Sequence, residues 1–199
     1  MRVPSLRIAL LFIVLTAFLG GCAIYSVHPF YKPDESTLEP GFVGTWTVDK
    51  AKITIQANED EESSYDVKVA DSDSNGDWRY KMRLIRVGDS LFADAVFDEE
   101  YLNDKRIDLP YGIAALHFLY KVSLSGDTLR LSMLSHDWLV KQLGDKKISI
   151  AHEYMDDSAD AQYSSILLTA SSADLQKFMR LIADTPDAFE EPDIMHRQK

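Results

Sequence analysis

The chain is poor in cysteine and in positive charge: 199 residues hold a single Cys, and 21 basic side chains stand against 32 acidic ones. One thiol excludes an internal disulfide, so the fold must be held by its core alone. A net charge of −11 excludes a surface built to grip a nucleic-acid backbone, and also a polybasic patch for anionic lipid. The acidic excess itself names no ligand. Long apolar runs are scarce too. The one candidate, "IALLFIVLTAFLG" at residues 8–20, is shorter than the ~20 residues of a spanning helix. Internal repeats and low-complexity tracts are absent. So are Gly-x-Ser-x-Gly, His-Glu-x-x-His and the phosphate-binding loop, and no catalytic residue is assigned. "SHD" at 135–137 places a Ser, a His and an Asp in a row, but neighbours at a helix start point in different directions and form no triad.

What is present begins with an export signal. "MRVPSLR" supplies a short positive region, the apolar run follows, and small residues close it in "LGGCA". The stretch Leu19, Gly20, Gly21, Cys22 resembles the lipobox of bacterial lipoproteins, with the protein's one cysteine at the acylated position. The resemblance implies removal of residues 1–21 and attachment of diacylglycerol, and usually a further acyl chain, at Cys22. Two signals make such anchoring stable. Residues 1–21 carry Arg2 and Arg7 as their only charged side chains, so the processed chain has a net charge of −13. Ala23 follows where Asp would retain a lipoprotein in the inner membrane. Where the host follows that sorting rule, this implies the outer membrane, facing the periplasm.

Beyond the signal, Pro29, Pro33 and Pro40 disfavour helix and central strand over residues 22–43. This stretch is expected to be a tether, with Phe30 and Tyr31 docking on the domain. From Gly44 the pattern has period two. Ile53/Ile55/Ala57, Tyr65/Val67/Val69, Trp78/Tyr80/Met82/Leu84, Leu91/Ala93/Ala95/Phe97, Leu116/Phe118/Tyr120/Val122/Leu124 and Leu129/Leu131/Met133 each line one face of a strand. Ile148/Ile150/His152/Tyr154 and "SSILLTA" extend the series. The alternation slips at Ile85, which predicts a bulge or a strand end. "VGDS" and "SGDT" are hairpin turns. "DSDSNGDW" at 71–78 starts like a calcium loop, but Met82 stands where an EF-hand needs its Glu and the flanks are strands. Asn75-Gly76 predicts a hairpin tip instead, and no metal site is expected. His152, Glu153, Asp156 and Asp157 are read as a solvated loop for the same reason: strand neighbours face opposite ways.

Two helices complete the pattern, one near 135–143 with Ser135 at its start and Gly144 as its stop. The other, near 172–183, carries the apolar stripe Leu175, Phe178, Met179, Ile182. The expected fold is mainly β: an antiparallel meander closed into a lipocalin-like barrel or half-barrel over residues 44–189. The C-terminal helix should cover the sheet, and residues 190–199 should form a flexible tail. Gly44-Thr45-Trp46 resembles the Gly-x-Trp of lipocalins and related fatty-acid-binding barrels, which implies a Trp closing the barrel floor. "HPFY", "VGTW", "DWLVKQL" and "ILLTASSADLQKFM" look like a group of uncharacterised bacterial lipoproteins, a resemblance that brings no activity with it.

Inward parity makes Tyr65, Tyr80, Phe97, Phe118, Tyr120 and His152 the candidate lining of a cavity, while His117 falls outside. The expected function is a membrane-anchored envelope module that binds an apolar or amphipathic ligand, with no cofactor. The alternative is a structural lipoprotein that engages an envelope protein through its surface.

Overall fold

A computed structural model describes residues 23–32, 34–71, 77–98, 101, 116–155, 164–185 and 187–199. Its strands are β1 (Ile24–Ser26), β2 (Ser36–Thr37), β3 (Gly44–Val48), β4 (Ala51–Ala57), β5 (Tyr65–Asp71), β6 (Asp77–Val87), β7 (Ser90–Phe97), β8 (His117–Ser125), β9 (Thr128–Met133), β10 (His152–Tyr154), β11 (Ile166–Leu168) and β12 (Asp193–Arg197). The helices are α1 (His136–Gly144) and α2 (Ser172–Ile182).

Each sequence-adjacent pair from β3 to β9 is antiparallel, and β12 pairs with both β9 and β3. Eight strands therefore close a barrel, so the expected barrel is observed rather than a half-barrel. Closure leaves no bare edge on β3 or β9. The predicted period-two faces point inward. Ile53, Ile55, Tyr65, Val67, Tyr80, Met82, Leu84, Leu91, Ala93, Ala95, Phe97, Phe118, Val122, Leu129 and Leu131 are all buried in one cluster. Gly88 and Gly126 take φ of +59° and +56° in the two predicted hairpins.

A second cluster lies outside the wall. Ile85, Phe92 and Leu119 face outward from β6, β7 and β8, yet they are buried under Leu175, Phe178, Met179 and Ile182 of α2. The side ladder β10–β11–β1 adds Ile24, Ile166 and Leu168 to this layer. The predicted helical stripe thus finds its surface on the barrel wall. Ser171 caps α2, its Oγ accepting from the Asp174 N–H at 3.3 Å.

Four expectations are corrected. Residues 190–199 are not a loose tail. Met195 points into the barrel and β12 is its closing strand. Residues 23–43 are not a free tether either. β1 joins the side ladder, Phe30 is buried in the outer cluster as expected, and β2 pairs with β6. The pattern does not slip at Ile85. β6 keeps its register with β7 through Val87, and both Leu84 and Ile85 are buried because the wall has a core on each side. Finally, Gly144 is the last residue of α1, and Asp145 caps it.

Candidate ligand site at the open end of the barrel

The two ends of the barrel are built differently. At one end the chain enters through a short 3-10 turn, Pro40–Phe42, and turns into β3. Trp46 is fully buried there and donates through Nε1 to the Phe42 carbonyl at 3.1 Å. Arg197 from β12 lies over its ring, 4.1 Å from the centroid. Its guanidinium donates to the carbonyls of Val43 at 2.8 Å and Gly41 at 2.6 Å. A Cβ on Gly44 would collide with this guanidinium, and Gly44 also holds a φ of +150°. The Gly of Gly-Thr-Trp is therefore required by the arginine that packs on the Trp. Tyr65 belongs to this floor as well. Its ring meets Phe42 edge-on at 5.1 Å, and its hydroxyl accepts from the Glu39 N–H at 2.7 Å.

The other end holds β3's last residues, the start of β6, the end of β7 and the start of β8. There the inward side chains Val48, Ala51, Val69, Trp78, Tyr120 and Met133 are only partly buried, whereas their neighbours deeper in each strand are buried. Among the described residues the interior is less covered at this end. Its wall carries a continuous arc of rings. Tyr80 stacks on Phe97 with centroids 4.8 Å apart, Phe97 meets Phe118 at 5.6 Å, and Phe118 meets Tyr25 at 5.2 Å. Trp78 adds a tilted contact to Phe97 at 6.0 Å. Tyr25 reaches the arc because β1 pairs with the first residues of β8, before β9 takes over as its neighbour.

Among the described residues, the hydroxyls of Tyr25, Tyr80 and Tyr120 have no hydrogen-bond partner, although Tyr80 is only 9% exposed. Burial raises all three well above the ordinary phenol range. Tyr120 adds to the shift of Tyr80, and Asp193 and then Tyr25 add to that of Tyr120. Tyr120 itself is half-buried. Asp193 stands at the rim in register with Leu131 and shares its strand face with Met195 and Arg197. Burial, and then the nearby Asp49, raise its carboxyl above the usual range.

The six residues chosen from the sequence therefore separate. Tyr80, Phe97, Phe118 and Tyr120 converge at the open end, and Tyr65 lies in the floor. His152 lies elsewhere, on β10 of the side ladder, where its Nδ1 is 2.8 Å from the Ile150 carbonyl and its ring meets Tyr154 at 5.5 Å. Strand parity placed it inward correctly for a strand, but β10 is not a barrel strand. Sequence reasoning missed Tyr25, Trp78 and Asp193 as site residues. Trp78 already stood on the inward face of its strand, and its ring was the available signal.

His117 lies outside the barrel as expected, beside Asp94 at 2.7 Å and opposite Ser26 on β1. These three residue types invite a catalytic reading, but Ser26 is fully buried and donates to the His28 carbonyl at 2.7 Å. Asp94 Oδ2 accepts from the Phe30 N–H at 2.8 Å. The group fastens the entering chain to the wall. A groove of about 360 Å³ lies outside the barrel, lined by Glu35, Arg86, Gln176 and Arg180 among others.

Among the described residues no three His, Cys, Asp or Glu side chains are grouped to hold a metal ion. Residues 72–76 of the calcium-like stretch lie outside the described residues; β5 and β6, paired antiparallel, flank it. Leu19, Gly20, Gly21 and Cys22 of the lipobox also lie outside them, as do Asp156 and Asp157. No helix among the described residues is long and apolar enough to cross a membrane. No known protein family, curated protein or solved structure matches the chain.

Proposed function

We propose that this is a lipid-anchored binding module of the bacterial cell envelope, holding an apolar or amphipathic ligand in the open end of its barrel. One observation carries the reading: one end is sealed by Arg197 on Trp46, while the other presents an arc of rings with unpartnered hydroxyls. Small-molecule sites combine an apolar wall with a few polar groups in this way.

The anchor fits the same picture. Ala23 is buried, donates to Ser165 Oγ at 3.2 Å and accepts from the Ile166 N–H at 2.8 Å. Acyl chains on Cys22 would hold the domain with no spacer. The half-exposed Tyr154 and Met155, on the strand next to β11, lie on the same ladder. The anchor is tested by Cys22→Ser, which should abolish acylation and processing after Gly21.

The ligand reading is tested by photo-cross-linking in intact cells. A benzophenone amino acid replaces Val48 or Val69 at the mouth, or Lys52 on the outer face, in the full chain. The expected result is a small-molecule adduct at the mouth positions and none at Lys52. Protein-sized adducts at Lys52, with none at either mouth position, would replace this reading by the partner-binding one.

A further inference from the structure

The groove outside the barrel, of about 360 Å³, lies where the β6–β7 hairpin meets α2, with Ile85, Val87, Gln176 and Arg180 among its lining. Ile85 and Val87 stand two residues apart on β6, so both face outward, and both pack in the outer cluster. They give the groove an apolar side. Gln176 and Arg180 are one turn apart on α2 and project on the same side of it. Two other charges of the groove are already paired. Glu35 accepts from Lys32 at 3.4 Å, and Arg86 is bonded to Glu39. Arg180 has neither an ion-pair nor a hydrogen-bond partner among the described residues. Gln176 has no hydrogen-bond partner there either, although it is only 3% exposed. Its amide is not fully enclosed, because His136 Nδ1 is the one enclosed atom of that kind without a partner. The little surface that Gln176 keeps therefore includes its amide, which opens on the groove.

A guanidinium beside a buried amide reads two adjacent groups of a ligand. The guanidinium presents a planar fork of N–H donors that matches a carboxylate. The amide presents an acceptor next to two donors, which is the complement of another amide. A bare anion would use the donors and leave Gln176 Oε1 facing its negative charge. An uncharged amide would leave Arg180 without a partner. We propose that the groove is a second binding site, independent of the open end of the barrel, for a ligand that carries a carboxylate next to an amide. That chemistry belongs to an N-acyl amino acid and to the free carboxyl end of a peptide. The carboxylate takes Arg180, the amide pairs with Gln176, and the ligand's own side chain rests on Ile85 and Val87. The paired charges of the groove cancel, so Arg180 leaves it one positive charge on a chain of net charge −11.

The test uses the full chain in detergent micelles, with nitrogen-15 in its glutamine side chains. Three probes are titrated: N-acetylalanine, N-acetylalaninamide, which lacks the charge, and propionate, which lacks the amide. Saturation transfer to the methyl groups of each probe measures affinity. The side-chain amide resonance of Gln176, assigned by its loss in Gln176→Met, locates the site. The expected result is a shift of that resonance, with N-acetylalanine bound about tenfold more tightly than either other probe, which corresponds to ~1.4 kcal/mol. Arg180→Gln should bring N-acetylalanine down to the level of N-acetylalaninamide, and Gln176→Met should bring it down to the level of propionate. Equal affinity for all three probes overturns the paired recognition. An unchanged preference in Arg180→Gln overturns it too, and this exposed position decides the matter even where Gln176→Met fails to fold. Binding of N-acetylalanine without a shift of the Gln176 resonance, or no binding of it at all, overturns the site. N-acetyl-triglycyl-alanine separates the two sources. Affinity equal to that of N-acetylalanine upholds the site as one for peptide ends, and exclusion upholds it as one for single acylated amino acids.

Discussion

The two faces of one strand, β7, meet two different interiors. Inward, Leu91, Ala93, Ala95 and Phe97 are buried in the interior cluster, where Tyr25, Tyr80 and Tyr120 carry hydroxyls without partners among the described residues. Outward, Phe92 packs into a layer of Ile, Leu, Phe, Met and Ala side chains beneath α2. Its one buried charge there, Asp94, receives both the Phe30 N–H and His117. The outer layer pairs Asp94 in this way, but it also holds His136 Nδ1, the one fully enclosed side-chain nitrogen or oxygen among the described residues with no hydrogen-bond partner. The inner layer gathers its tyrosine hydroxyls without described partners at a single end. On the proposed reading, stability and recognition are divided between the two sides of one wall.

The division is broken most severely by removing the closing strand. Ending the chain at Pro192 takes away Met195 and Arg197 and leaves β3 and β9 with bare edges. Both cores then lose their common wall, and the exposed edges invite aggregation. The expected outcome is loss of the cooperative thermal transition and recovery of the protein in the insoluble fraction. A soluble truncated chain that still melts cooperatively would show that β12 is dispensable.

The outer layer alone is tested by Phe178→Ala. Phe178 is 5% exposed and sits among Leu175, Met179 and Ile182 on the wall. Truncating a buried Phe costs about 3–5 kcal/mol. In a domain of this size that lowers the melting temperature by roughly 10 °C. The proposed cross-links at Val48 and Val69 should persist at temperatures where the variant is folded. Their loss in the folded variant would mean that the two interiors are not separable.

Two aspartates at the open end should respond to pH with opposite signs. Asp77, at the start of β6, is held far below the usual carboxylate range, first by Lys68 at 2.5 Å and then by the Tyr101 hydroxyl. A carboxyl depressed in the fold contributes stability above its unfolded value near 4, and loses it as the pH falls through the folded value. Asp193 is raised, so its charged form opposes folding. Its contribution is complete below the unfolded value and is lost as the pH rises through the folded one. Denaturant unfolding at pH 7 should therefore show Asp77→Asn destabilised and Asp193→Asn mildly stabilised. The Asp193→Asn difference should vanish near pH 3, and the Asp77→Asn difference should shrink as the pH drops below about 4. A stabilising effect of Asp193→Asn that persists at pH 3 would assign it to something other than charge.

The barrel was legible in the sequence because six of its strands each carry a one-sided apolar stripe, and a seventh, β3, carries Gly44-Thr45-Trp46. The eighth was not. "DIMHR" offers a single apolar residue to the interior, and its other inward positions are the charged Asp193 and Arg197. Those two charges lie at the rim and the floor, and they disguised the strand. β6 misled in the opposite direction. Leu84 and Ile85 break a one-sided pattern because α2 and the side ladder bury the second face, and that coverage depends on contacts distant in the chain. Tyr25 was hidden by its setting, since a three-residue strand just before a proline-rich stretch carries no periodicity to read. The four barrel aromatics of the open end were found by parity alone. His152 was misplaced because parity assigns a face to a strand but cannot say which sheet the strand joins.

The smallest expected effect is the most discriminating, because it compares two tyrosines of the same barrel. Tyr65 in the floor has its hydroxyl bonded to the Glu39 N–H at 2.7 Å. Tyr80 near the mouth is also buried, and its hydroxyl has no partner among the described residues. Replacing either by Phe removes one oxygen and keeps the ring. In Tyr65→Phe a backbone donor is left behind, and the expected loss is about 1 kcal/mol. In Tyr80→Phe no partner is left behind among the described residues, and the change removes an oxygen with no hydrogen bond to lose. Its stability should stay within about 0.5 kcal/mol of the parent or rise above it. On the proposed reading the Tyr80 hydroxyl serves the ligand rather than the fold. If Tyr80→Phe instead unfolds more readily than Tyr65→Phe, the Tyr80 hydroxyl serves the fold, and the inner face of the wall is a core like the outer one.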